Sequence, residues 1–371
     1  MKKLETLYKR TETGRVQVWT MCIDKDKYYS IEGLQGGAMT TNKPTVAVGL
    51  NKGKKNETTP EEQALKEAQA KWQKKVDKGY TTEVKKIDNE LAFFEPMLAK
   101  KYTDYKADIK FPVLVSRKID GARLIATKNR LTTRNGKDYI NCQHISKMLI
   151  PLFDKHPNWV IDCEIYSHDI PFERIMHVVR QTKPTEEDII ESEKTVKIYI
   201  FDGIADNKQE GFESRFKLIK SEIIKLIPDL KYIVFVDNIE VNKHEDIKKY
   251  HDQFVSEGYE GVMIRIPTAA YENKRSKNLL KFKAFNDAEF KIVDVVEGKG
   301  GRANMAGNLL LEMKGGKTFG SGIRGGEDLY KEIWKNRKSL IGKKATIRYQ
   351  ELSDDGIPRF PVCVAIDPID K

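Results

Sequence analysis

One lysine in this chain has the surroundings of a nucleophile. It lies in Val115-Ser116-Arg117-Lys118-Ile119-Asp120-Gly121-Ala122-Arg123. At its ordinary pKa of about 10.4 a lysine amine is protonated and reacts poorly. Desolvation, or neighbouring cations such as Arg117 and Arg123, lowers that pKa and frees the lone pair for attack on an electrophile. On this stretch alone, a basic hairpin tip is a serious rival explanation.

Side chains able to work with such an amine recur downstream. Thr132-Thr133-Arg134-Asn135-Gly136 is a turn that follows a short strand. Trp159-Val160-Ile161-Asp162-Cys163-Glu164-Ile165 reads as a buried strand broken by two carboxylates. Uncompensated acids are costly there, so a salt bridge, a ribose hydroxyl or a metal ion must answer them. Phe201 stands near the end of the strand Val196–Asp202, where a core role is the usual one. Tyr259-Glu260-Gly261-Val262-Met263-Ile264-Arg265 is a second strand interrupted by an acid. In Leu280-Lys281-Phe282-Lys283, alternation puts the two lysines on one face and the two apolar residues on the other. Adjacent ammonium groups repel and ask for a shared anion such as phosphate; an edge strand guarded by lysines is the alternative.

The elements that must carry these residues are strands and turns. Apolar runs at Phe111–Val115 and Leu124–Ala126 flank Lys118, and Asp120-Gly121 is a turn signal between them. Residues Met1 to about Tyr80 form a separate block, with strands at Val16–Trp19 and Tyr28–Ile31 and a basic loop, Asn51-Lys52-Gly53-Lys54-Lys55-Asn56. Thr59-Pro60-Glu61-Glu62 opens a helix, with Thr59 at the N-cap, Pro60 at the first position and Glu62 closing a capping box. Leu65, Ala68, Trp72 and Val76 continue it at helical spacing to Lys78-Gly79, and Trp72 is read as core. A charged linker spans Val84 to Leu91. From about Asp287, short strands at Phe290–Val296, Leu309–Met313, Thr318–Phe319, Lys343–Gln350 and Pro361–Ile366 alternate with glycine turns, and a helix lies near Leu329–Trp334. About five such strands fit a small barrel. Gly298, Gly300 and Gly301 lack the spacing of a P-loop.

Composition narrows the classes. A length of 371 residues suggests two or three domains, and 39% hydrophobic with 33% charged residues belongs to a soluble globular protein. The net charge of +11 favours a polyanionic partner. Cys22, Cys142, Cys163 and Cys363 include no C-x-x-C pair, which argues against a zinc ribbon and for a reduced environment. No apolar run is long enough to span a bilayer, and Met1-Lys2-Lys3-Leu4-Glu5 begins no leader pattern. The expectation is a cytoplasmic protein with no membrane partner.

Lys118-x-Asp120-Gly121-x-Arg123 resembles the first motif of the covalent nucleotidyltransferases: DNA ligases, RNA ligases and mRNA capping enzymes. Arg134-Asn135-Gly136, Asp162-Cys163-Glu164 in place of Asp-Gly-Glu, Phe201, Glu260-Gly261 and Lys281/Lys283 follow in that family's order. From about Phe93 onward the chain is similar to the ATP-dependent DNA ligases of compact phage and viral type. The N-terminal block resembles the WGR-like small domains found beside nucleic-acid enzymes, although Trp-Gly-Arg itself is absent. The fold so implied is α+β. It comprises a WGR-like putative DNA-binding domain over residues 1–85, an antiparallel-sheet nucleotidyltransferase (adenylation) domain over 92–286 and an OB-fold barrel over 287–371.

The resemblance implies a site as well. Lys118 would take AMP from ATP as a covalent adduct, with Arg117, Arg123, Glu164, Phe201, Lys281 and Lys283 around the nucleotide. Phe201 would stack on the purine, and Arg123 and Glu164 would place the sugar. Glu260, with Glu164, would hold Mg²⁺ or Mn²⁺, and Arg134 would grip phosphate of the nicked strand. The substrate implied is nicked double-stranded DNA, and the enzyme a monomer. An RNA ligase or a capping guanylyltransferase is the neighbouring reading. A noncatalytic binding protein on a ligase scaffold is opposed by the intact Lys118, Glu260 and Lys281. The chain departs from the family near its end, where Asp367 stands in place of an arginine that orients pyrophosphate. Arg359 is the expected substitute ahead of Lys371, and a pairing of Arg359 with Asp354 or Asp355 is the structural alternative.

Overall fold

A computed structural model of the chain describes residues 1–11, 13–50, 53, 55–87, 94–168, 170–298, 302–313, 315–353 and 355–367. Asn51, Lys52 and Lys54 of the basic loop, part of the expected linker, Phe93, Gly300, Gly301, Asp354 and Lys371 lie outside the described residues. Two compact units divide the chain. One comprises Met1–Val76, Tyr80–Asp88 and Phe285–Lys371, and the other Asp77–Gly79 and Asn89–Ala284.

The first unit holds two separate cores. In the N-terminal part, Val16–Asp24 and Lys27–Leu34 form an antiparallel hairpin at the centre of a six-stranded sheet. Alternation sends Trp19, Met21 and Ile23 to one face, where they meet Tyr28 and the helix residues Ala64 and Ala68. That helix, Pro60–Asp77, begins with the expected reciprocal cap. The Thr59 N–H donates to Glu62 Oε2 at 2.8 Å, and the Glu62 N–H donates to Thr59 Oγ1 at 3.2 Å. Trp72 packs against this core and donates its indole N–H to the Glu5 carbonyl at 2.8 Å. In the C-terminal part, Asn286–Glu297, Ala306–Glu312, Thr318–Ile323, Val362–Ile366 and Lys344–Tyr349 close a five-stranded barrel. Its interior is filled by Ile292, Leu309, Leu311 and Ile347, with Ile333 of the helix Glu327–Lys335 covering it.

The second unit contains two five-stranded sheets. One runs, in order, Leu131–Thr133, Ala122–Ala126, Val160–Tyr166, Lys197–Ile204, Ile233–Phe235. The other runs Ile239–Val241, Val113–Arg117, Gly261–Arg265, Arg275–Lys283, Leu98–Lys101. Helices Gln143–Lys155 and Phe212–Leu226 bury Ile145, Leu149, Leu152, Ile219 and Ile223 against the first sheet. Helix His244–Ser256 buries Ile247 and Phe254 against the second.

Two expectations are corrected. The sheets are mixed rather than purely antiparallel: Ile233–Phe235 runs parallel to its neighbour, and so does Leu98–Lys101. Neither edge strand is reached by a hairpin; Ile233–Phe235 follows a helical crossover, which returns the chain in the same direction. Nor do the strands on either side of Lys118 pair with each other. Val113–Arg117 belongs to one sheet and Ala122–Ala126 to the other, so the turn between them is a passage from sheet to sheet.

Losing the Thr59 side chain removes one acceptor from the first turn of the Pro60–Asp77 helix. Thr59→Ala should therefore weaken it by about 1 kcal/mol, read as faster amide exchange across that helix with the exchange of the barrel unchanged.

Candidate active site

Lys118 sits at the passage between the sheets because its backbone continues the ladder of one of them. Its N–H donates to the Gly261 carbonyl at 2.9 Å, and its carbonyl accepts from the Glu260 N–H at 3.0 Å. Two glycines make the close approach possible. A Cβ on Gly121 would stand 2.2 Å from the Ile165 carbonyl oxygen and 2.8 Å from Glu164 Cγ. Gly261 has φ +138°, and a Cβ there would stand 2.2 Å from the Phe282 carbonyl oxygen. Both glycines of the recognised motifs are thus steric requirements for bringing the lysine turn, the Glu164 strand and the Lys281/Lys283 strand together.

The Glu260 carboxylate, 5% exposed, lies between two ammonium groups. Oε2 accepts from Lys118 Nζ, and Oε1 accepts from Lys283 Nζ at 2.8 Å. Burial pushes the Glu260 carboxyl up, but Lys118 and Lys283 outweigh it and hold it below the usual carboxylate range. Lys283 is pulled down by burial and by Lys118. Lys281 makes no ion pair among the described residues; burial, Lys283 and Lys118 bring it down to about 8. The shared anion that the two lysines ask for is therefore half supplied by Glu260, and Lys281 still lacks one.

The paired acids of the neighbouring strand divide their roles. Asp162, 1% exposed, accepts two bonds from Arg123, Nε at 2.8 Å and Nη2 at 2.5 Å, and a third from the Tyr271 hydroxyl at 2.7 Å. It is answered by a salt bridge. Glu164 makes no side-chain hydrogen bond among the described residues, and burial pushes its carboxyl up to about 7 against the pull of Lys118 and Arg123. Cys163, between them, faces the core and donates its thiol to the Leu124 carbonyl at 3.3 Å, so the replaced glycine lies away from the site.

A cleft of about 200 Å³ is lined from both sheets. Lys118, Arg117, Arg123, Arg134, Glu164, Phe201 and Lys281 all reach it, together with the apolar Met263 and Leu279. Arg117 is partly committed elsewhere: its Nε donates to Glu257 at 2.9 Å, and it lies over Phe254 and Tyr259. Arg134 is presented by a tight turn, with the Gly136 N–H on the Thr133 carbonyl at 3.0 Å, and makes no ion pair among the described residues. Arg359 belongs to the barrel. Its guanidinium pairs with Glu351 rather than with Asp355, because the chain segments around residues 351 and 359 are themselves hydrogen-bonded, Arg359 N–H to Glu351 carbonyl at 2.8 Å.

Sequence reasoning missed a second charged group behind the cleft. Asp202, fully buried, accepts from Arg215 Nε at 2.8 Å and Nη2 at 3.0 Å and from Arg265 Nη1 at 2.6 Å. Arg265 and Arg275 also line the cleft. An acid ending an apolar strand, and an arginine ending another, were the signals available in Phe201-Asp202 and Ile264-Arg265.

Comparison with known proteins identifies the family. Residues 96–283 match the family model of the ATP dependent DNA ligase domain, and residues 297–366 match that of the DNA ligase OB-like domain. A DNA ligase of African swine fever virus is 28% identical over 348 residues, covering 88% of this chain and 80% of its own. One from Haemophilus influenzae is 28% identical over 248 residues, covering 67% of this chain and 84% of its own. A solved Lig E DNA ligase, described as DNA binding with a minimal scaffold, superposes with a TM-score of 0.59 at 25% identity, over 73% of this chain and 98% of that one. The chain therefore belongs to the ATP-dependent DNA ligases, enzymes that seal nicks in DNA through a covalent lysyl-AMP and an adenylated DNA end.

Proposed function

We propose that Lys118 is the residue that carries AMP. The observation behind this is the convergence, on one cleft, of a lysine amine held by a buried carboxylate, a second lysine without an anion and a phenylalanine face. The amine attacks the α-phosphorus of ATP, the bond to the β-phosphate breaks and pyrophosphate leaves; Glu260, already hydrogen-bonded to the ammonium, is the nearest acceptor for its proton. Lys281 and Lys283 hold the α-phosphate, Phe201 carries the purine, and Arg123 and Glu164 place the ribose, with Arg117 at the cleft wall. Pyrophosphate is oriented by Arg359 once it leaves Glu351.

The two carboxylates Glu164 and Glu260 fit a hard divalent cation, Mg²⁺ or Mn²⁺. Bound there, such an ion would neutralise charge developing on the transferred phosphoryl group.

The substrate is read as a nicked duplex, gripped through its backbone by Arg134 and read without sequence preference. Three domains, 1–85, 92–286 and 287–371, act in a monomer in the cytoplasm. The N-terminal block, read as WGR-like, adds affinity for DNA rather than chemistry.

Three outcomes follow from these assignments. Lys118→Ala should take up no label from α-labelled ATP yet still seal a nick whose 5′ end is already adenylated. Labelling of that variant would show that the nucleophile is elsewhere. For Lys281, a phosphate beside it favours the charged form and raises its pKa from about 8. ATP binding at pH 8 should therefore take up about half a proton at Lys281, seen by calorimetry in buffers of different ionisation enthalpy and lost in Lys281→Arg. Finally, removing residues 1–85 should leave self-adenylation intact and flatten the salt dependence of DNA binding, because fewer phosphates are neutralised.

A further inference from the structure

An irregularity in the strand Lys197–Ile204 brings Asp202 to the face that Phe201 takes. Cys163 faces Ile200 across the sheet and Asp162 faces Asp202, which leaves Phe201 as the extra, unpaired residue. A bulge of this kind bends the strand and re-aims a side chain. Strict alternation already turns Phe201 away from Ile200, which is buried in the core, and the bulge turns Asp202, opposite Asp162, to the same side as Phe201.

The charged residues around the bulge hold it. Asp202 folds back on its own backbone, accepting from the Gly203 N–H at 2.8 Å. Arg215 grips the same carboxylate with two nitrogens and spends Nη1 on the carbonyls of Glu210 at 2.9 Å and Ala269 at 2.7 Å. Arg265 completes the group and lies over Phe201, with its guanidinium 5.5 Å from the ring centroid, and over Phe212 at 4.6 Å. A second guanidinium, Arg123, lies 5.4 Å from the Phe201 centroid and is itself fixed by Asp162. The ring is thus placed by two arginines, each pinned to a buried acid. The arrangement is not one that stability alone favours. Arg265 Nε is buried with no hydrogen-bond partner, and a buried ion pair contributes less to stability than apolar packing of the same volume.

We propose that Asp202, clamped by Arg215 and Arg265, is a positioning residue for nucleotide binding: it sets the Phe201 ring at the angle from which it receives the adenine of ATP. Neither Asp202 nor Arg215 lines the cleft, so both act through Phe201 and Arg265. The effect falls on ATP affinity and leaves the rate of phosphoryl transfer from bound ATP unchanged. This rests on the reading of Phe201 as the base platform.

The test is single-turnover self-adenylation of the full chain over a range of ATP concentrations, for wild type, Phe201→Ala, Asp202→Asn and the double variant. Phe201→Ala and Asp202→Asn should each raise the half-saturating ATP concentration about tenfold with little change in maximal rate. The double variant should be no worse than Phe201→Ala alone, because residues acting through one another are strongly non-additive. Arg265→Lys should keep most of the affinity and Arg265→Met lose it. If Asp202→Asn does not fold, the same cycle is run with Arg265→Met. Multiplicative losses in the double variant, or a lower maximal rate at unchanged half-saturation, would overturn the clamp while leaving the platform intact. Wild-type half-saturation in Phe201→Ala would instead remove the platform itself.

Discussion

A carboxylate shared by two ammonium groups organises this enzyme's centre. Glu260 is almost wholly buried, and a lone buried carboxylate would be costly. Lys118 and Lys283 make it affordable in place, and it in turn holds two like charges close together. One carboxylate against two ammonium groups already leaves a net positive charge, and Lys281 adds a third cation that makes no ion pair among the described residues. The site as folded is therefore short of negative charge. An anion entering the cleft beside Lys281 would correct this.

Much of this could be read in the residues. The capping box at Thr59 and Glu62, the barrel strands and the shared face of Lys281 and Lys283 depend on local spacing, and local spacing is what a sequence displays. Phe201, Glu164 and Lys118 were each ambiguous alone and became interpretable as an ordered set. What stayed hidden depends on pairing over long separations. Asp162 and Glu164 look alike in the sequence, yet Asp162 meets Arg123 and Tyr271 while Glu164 is left facing the cleft. The divergence of the strands beside Lys118 into separate sheets was equally hidden, since Asp120-Gly121 serves a hairpin or a crossing equally well. Arg359, expected to orient pyrophosphate with pairing to Asp354 or Asp355 as the alternative, is found on Glu351, because strand-like pairing of the two segments outweighs nearness in sequence.

The cleft is best described as a seam. Each sheet buries its own apolar face against its own helices, through Ile219 and Ile223 in one case and Ile247 and Phe254 in the other. The polar side chains left over from each sheet, Glu164 and Arg123 from one and Lys281 and Arg265 from the other, face the join. Arg123 and Arg265 are also tied to buried acids, so substitutions there should cost stability as well.

The passage of Lys118 from one sheet to the other also has a consequence for when the enzyme comes into being. Lys118 and Glu260 are 142 residues apart in sequence, and the Leu98–Lys101 strand finds its neighbour only in Arg275–Lys283. Contacts of such range are slow to form, because a long loop must close before they reward it. On a ribosome the lysine emerges first and its carboxylate much later, so a growing chain carries the lysine with no pocket around it. The cleft around Lys118 is thus assembled only when the strand Arg275–Lys283 has joined the sheet.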